Sequence, residues 1–165
     1  MIYHTQEHVH VPDTYPAGSC YPTVYACILD LPLNQVPYFN LLYFSTNQEK
    51  YNLKKAPKRY LDKVDYLWDE IRSLWLYGMG YTEDYIADHD KWLKENPERY
   101  YIASGISPRN VGHVVIYQNG KMIHDPHPSR AGLTKIESFS YLRKIEGDYE
   151  FDRYYLKLPT NGNSN

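Results

Sequence analysis

Cys20, His113 and Asp125 are the residues of this chain whose types and settings suit covalent chemistry. Cys20 follows Gly18 and Ser19, which are turn and N-cap residues. It precedes Pro22, which a helix tolerates only in its first turn, and Val24, Cys27, Ile28 and Leu31 then recur at helical spacing. The spacing predicts a helix that starts at or beside Cys20. A thiol there faces the positive end of the helix dipole and unpaired backbone amides, both of which favour thiolate over thiol. A cysteine hydrolase needs, besides the thiolate, an imidazole that stabilises it and protonates the leaving group, and a third group that orients the imidazole. His113 opens the run His113-Val114-Val115-Ile116-Tyr117, and Asp125 closes the next one, Ile123-His124-Asp125, ahead of Pro126. Cys27, inside the apolar stripe, reads as a buried small hydrophobe.

Two kinds of element must bring these residues together. Residues 2–11 alternate in the manner of an edge strand or extended arm, and the Pro- and Gly-containing loop 12–18 delivers the chain to the Cys20 helix, which should end near residues 30–32. A short helix over 33–36 follows. Residues 38–58, an aromatic cluster and then a polar run, read as a surface excursion. The strongest helix is 59–77, where Leu61, Val64, Leu67, Trp68, Ile71, Leu74 and Trp75 make one apolar stripe and Gly78 and Gly80 supply the stop. It should pack beside the first. Another short helix is expected within 82–95, anchored by Ile86 and Trp92. Strands are then expected at 100–103, 112–118, 121–125, 139–145 and 149–157, with Asn119-Gly120 as a hairpin turn, before a polar tail. Helices first and antiparallel strands second make an α+β arrangement, with the cysteine on the helices and its partners on the sheet.

The hairpin poses a test of register. A tight two-residue turn pairs Gln118 with Lys121 and Val114 with Asp125, which leaves His113 and Asp125 on opposite faces. A three-residue loop with Gly120 in a bulge would pair His113 with Asp125. Alternatively Asp125, held extended by Pro126, lies past the regular ladder.

With 165 residues, 42% of them hydrophobic, the chain suffices for one domain with a real core and is short for two. A single domain over 1–157 and a flexible tail over 158–165 are expected. The net charge of -2 makes no electrostatic case for nucleic acid, and the Lys and Arg residues around 54–63 read as a solvated face. Two cysteines seven apart in one helix cannot bridge, so reduced thiols and a cytoplasmic setting are expected. Residues 1–6 carry no basic region or apolar run, and no segment is long enough to span a bilayer. Nineteen tyrosines read as a tyrosine-rich core and surface; Trp92, Tyr100, Tyr101 and the aromatic run 38–44 are the guess for a contact face.

Gly18-Ser19-Cys20 with Ala26-Cys27-Ile28-Leu29 and Leu31-Pro32-Leu33, then Tyr101-Ile102-Ala103-Ser104-Gly105 with Ser107-Pro108-Arg109, then Gly112-His113-Val114-Val115 and His124-Asp125-Pro126-His127-Pro128, occur in this order. Over residues 13–132 the chain resembles small papain-like cysteine peptidases, close to the C39-like group of bacteria and phages. The resemblance implies a papain-like α+β fold, with N-terminal helices carrying the cysteine on a C-terminal antiparallel sheet. It implies Cys20 as nucleophile, His113 as base and acid, Asp125 as orienting carboxylate, and no cofactor. Papain-like enzymes usually place a glutamine about six residues before the cysteine, where its amide helps to hold the oxyanion. Thr14 stands there instead. The Cys20 amide supplies one oxyanion donor; Thr14, Asn110 or Gln6 folding back are candidates for another, and Arg109 is a candidate for gating the cleft or binding a substrate carboxylate.

The expected activity is a cysteine hydrolase acting on a peptide, an isopeptide or another amide through an acyl-enzyme thioester. One alternative is an inactive papain-like fold that binds a protein partner; another is an acyltransferase with the same triad. In the blander readings His113 is a satisfied core histidine and Asp125-Pro126 is only a turn. A metal site built from His8 and His10 or from His124 and His127 matches no common zinc spacing, and His127-Pro128-Ser129 lacks the second motif that a His-x-Ser phosphodiesterase needs.

Overall fold

The computed structural model describes residues 1–7, 9, 18–37 and 69–146. Thr14, His8, His10, the aromatic run and excursion at 38–58, the first part of the expected helix 59–77, the strand at 149–157 and the tail lie outside the described residues.

Helix α1 runs Cys20–Ile28. Ser19 occupies the N-cap position without capping through its side chain. Its carbonyl instead accepts from Thr23 N at 3.1 Å and from Thr23 Oγ1 at 2.8 Å, so the first turn is closed twice. The helix ends where Asp30 takes φ 55°, and its carboxylate meets the Met1 ammonium at 3.0 Å. A short 3-10 turn, Leu33–Gln35, follows. Helix α2 is described over residues 69–78. Gly78 is still helical, and the stop is Gly80 at φ 82°. Trp75 of α2 stacks on Tyr25 of α1 with ring centroids 6.3 Å apart, so the two helices do pack side by side. Leu74, expected in the buried stripe, is 46% exposed.

Among the described residues the sheet is five-stranded and antiparallel, ordered β1-β5-β2-β3-β4, with β1 Tyr81–Tyr85, β2 Tyr100–Ile106, β3 Gly112–Gln118, β4 Lys121–His124 and β5 Lys135–Lys144. Helix α3, His89–Glu95, separates β1 from β2 and is capped by Asp88, whose side chain accepts from Lys91 N. The short helix expected within 82–95 is thus α3, and the first part of that window is strand: Glu83 and Asp84 of β1 take partners on β5, Ser140 at 2.6 Å and Arg143 at 2.5 Å. Those pairings join segments some sixty residues apart, which helical periodicity around Ile86 and Trp92 cannot register.

The architecture is α+β. Val24, Tyr25, Ala26 and Cys27 of α1 and Leu76 of α2 form one buried cluster with Ile102, Val114, Ile116 and Leu142 of the sheet. Tyr101 is fully buried among Trp92, Tyr117 and Phe139, so it is core and not the contact surface expected of it. Among the described residues no helix is long and apolar enough to cross a membrane.

Candidate active site

The β3–β4 hairpin decides whether His113 and Asp125 can meet. Its turn is a tight two-residue one, with Asn119 at φ 47° and Gly120 at φ 73°, the positive pair that matches the strand twist. Gln118 pairs with Lys121 and Tyr117 with Met122. Unbroken, this register would place the two residues on opposite faces. It is broken one step later: Ile116 pairs with His124, so Ile123 is an extra residue on β4. That bulge shifts the phase by one, puts Asp125 in step with Val115 and hence with His113, and corrects the expectation of a bulge at Gly120. β4 ends at His124, so Asp125 lies just past the ladder, as one of the two alternatives required.

His113 Nε2 and Asp125 Oδ1 stand 2.7 Å apart, and the two side chains are 2% and 1% exposed. The loop after β4 wraps the carboxylate: His127 N donates to Oδ1 at 2.8 Å and Gly132 N to Oδ2 at 2.7 Å. The first of these is the turn that an Asp-Pro-x sequence favours, so Asp125 both shapes its own loop and holds the imidazole. Arg130 donates to the Asp125 carbonyl and, at 2.5 Å, to Thr5 Oγ1.

Cys20 reaches the same ring. Its thiol hydrogen-bonds to His113 from the first residue of α1. Cys20 is partly exposed and unbridged, whereas Cys27 is buried in the core. Burial works to strip His113 of its proton, but the bonds to Asp125 and Cys20 outweigh it and carry the pKa up to about 9. Burial likewise opposes the Asp125 charge, and donation from His113, Gly132 and His127 overrides it, lowering the carboxyl to about 2. At neutral pH the pair is imidazolium and carboxylate, with the Cys20 sulfur bonded to the same ring.

Of the other expected site residues, Arg109 lines a small cavity beside His113 and Asp125. Asn110 is exposed at φ 58°, and its N–H closes a turn onto Ser107 O at 2.9 Å. Gln6 is buried, and its N–H donates to Pro126 O at 2.9 Å, one residue from Asp125. It belongs to an arm whose His4 carbonyl bonds His124 Nε2 at 2.7 Å and whose His4 N–H reaches Cys27 Sγ at 3.2 Å. His124 and His127 face separate partners, the second bonding Ser129 Oγ at 2.7 Å. Sequence reasoning missed the Asp125-holding roles of His127, Arg130 and Gly132; the Asp-Pro-x turn was the available signal.

Set against protein-family models, curated proteins and solved structures, the chain has no match.

Proposed function

We propose that the protein is a papain-like cysteine hydrolase of amide bonds, a peptidase, isopeptidase or amidase. The observation that supports this most is a single buried imidazole held by a carboxylate at Nε2 and hydrogen-bonded to Cys20 at the start of a helix. The Cys20 sulfur attacks the substrate carbonyl as thiolate, and the His113 imidazolium passes its proton to the leaving amine as the C–N bond breaks, giving a thioester on Cys20 and a free amine. His113 then takes a proton from water, the hydroxide attacks the thioester, and Cys20 departs as thiolate. Asp125 keeps His113 oriented and charged throughout. The backbone amide of Cys20 is the donor assigned to the oxyanion. No cofactor enters these steps, and the expected setting is cytoplasmic.

An activated ester such as p-nitrophenyl acetate tests the cycle without a known substrate. The wild type should release nitrophenol in a burst, carry an acetyl group on Cys20 by peptide mass mapping, and turn over; Cys20→Ala should do none of these. A persistent acetyl adduct released only by added amines would identify an acyltransferase. Absence of both burst and adduct in the wild type would sink the enzyme reading in favour of a partner-binding protein.

A further inference from the structure

The imidazole of His127 has no place in the cycle above, yet it is built into the same site. The residue is 8% exposed, and its ring stands edge-on to His113 with centroids 6.0 Å apart. Ser129 N donates to His127 Nδ1 at 3.0 Å, which makes Nδ1 an acceptor and leaves the ring hydrogen on Nε2. That Nε2 is buried and, among the described residues, has no hydrogen-bond partner. Leaving a buried N–H without an acceptor costs its full desolvation, so a site that keeps one is shaped for something that arrives. The ring lines a cavity of about 10 Å³ together with Arg109, His113 and Asp125, roughly the room one oxygen atom needs.

We propose that His127 and Arg109 form a subsite for one carboxylate oxygen of the substrate, beside the imidazole of His113; this rests on Cys20 being the nucleophile. Three features favour a charged acceptor over an amide carbonyl. Arg109 lies on the same wall, and its positive charge is felt at the His127 ring. Burial first, then the charges of Arg109 and His113, hold His127 neutral, so Nε2–H stays a fixed donor that needs no proton exchange. The carboxylate already present, Asp125, has both oxygens engaged by donors and offers the cavity little repulsion. A buried donor gains most from an ionised acceptor.

Iodoacetate and iodoacetamide differ only in carboxylate against amide, and with either the Cys20 S–C bond forms as C–I breaks and iodide leaves. The probe is the ratio of the two alkylation rates at Cys20, measured by mass mapping. The ratio should fall on the order of tenfold in His127→Leu, fall also in Arg109→Gln, and recover in part in His127→Gln, which keeps an N–H. The backbone bond from residue 127 to Asp125 survives all three substitutions, and if His127→Leu does not fold, the other two carry the comparison. A ratio identical in wild type and variants overturns the subsite while leaving Cys20 as nucleophile. Failure of both reagents to label Cys20 in the wild type overturns the nucleophile, and the subsite with it.

Discussion

Asp125 accepts three hydrogen bonds, from the His113 ring and from two backbone amides of its own loop. Asn in its place keeps the shape but presents one oxygen and an NH2, so at least one buried donor loses its acceptor and the imidazolium loses its counter-charge. Asp125→Asn should therefore lower the acylation rate by about 100-fold or more while leaving Cys20 in place; pre-steady-state release of nitrophenol measures it. A variant as fast as the wild type would reduce Asp125 to a turn residue. At the same scale the two cysteines part company. Cys27 sits in the core with its sulfur accepting from His4 N, and burial pushes its thiol up, whereas Cys20 is partly exposed and meets His113.

At the scale of elements the site depends on two irregularities of strand pairing. One is the extra residue at Ile123. The other lies opposite His113, where Gly105 pairs with it and the β2–β5 register shifts between Ser104 and Gly105. A Cβ on Gly105 would stand 1.9 Å from Lys135 O and 3.0 Å from Ile136 Cα, both backbone atoms that cannot swing aside. Gly105→Ala should thus force β5 away and destabilise the fold by about 2–4 kcal/mol, seen as a lower urea midpoint; an unchanged midpoint would contradict the packing described for β2 and β5. The β3 bounds, the Asn119-Gly120 turn and the helix start at Cys20 were legible in the sequence because each has a local cause: β-branched runs, a turn that needs two positive φ values, and a proline tolerated only in a first turn. The Ile123 bulge was not, since no glycine or proline marks it and only the pairing partner reveals it. Strand β1 was hidden for the same reason. Residues 2–7 form no strand of the sheet, and nothing local marked the contact that sets Gln6 beside Pro126, which spans most of the chain.

For the molecule as a whole, the buried pair ties folding to pH. His113 titrates near 6.5 in an unfolded chain and at about 9 when folded. Its contribution to stability is complete below about pH 6.5 and is lost as pH rises through 9. The folded Asp125 carboxyl lies at about 2, below the ordinary value near 3.9. Its contribution is complete above about pH 4 and is lost as pH falls toward 2. The melting temperature of the wild type relative to His113→Gln should accordingly be greatest between about pH 4 and 6.5 and decline steadily toward pH 9. A difference that does not vary with pH would mean that the pair is not charged as described.

Helix α1 and the β3–β4 hairpin, distant in sequence, bring the Cys20 sulfur to the His113 imidazolium. Alkylation of Cys20 by iodoacetamide as a function of pH, with peptide mass mapping, in wild type and His113→Ala, tests this contact most directly. Cys20 in the wild type should react on the order of tenfold faster than in the variant at neutral pH, the advantage should fade as pH passes 9 and His113 loses its proton, and buried Cys27 should stay unlabelled in both. An inert Cys20, or the same pH profile with and without His113, would contradict it.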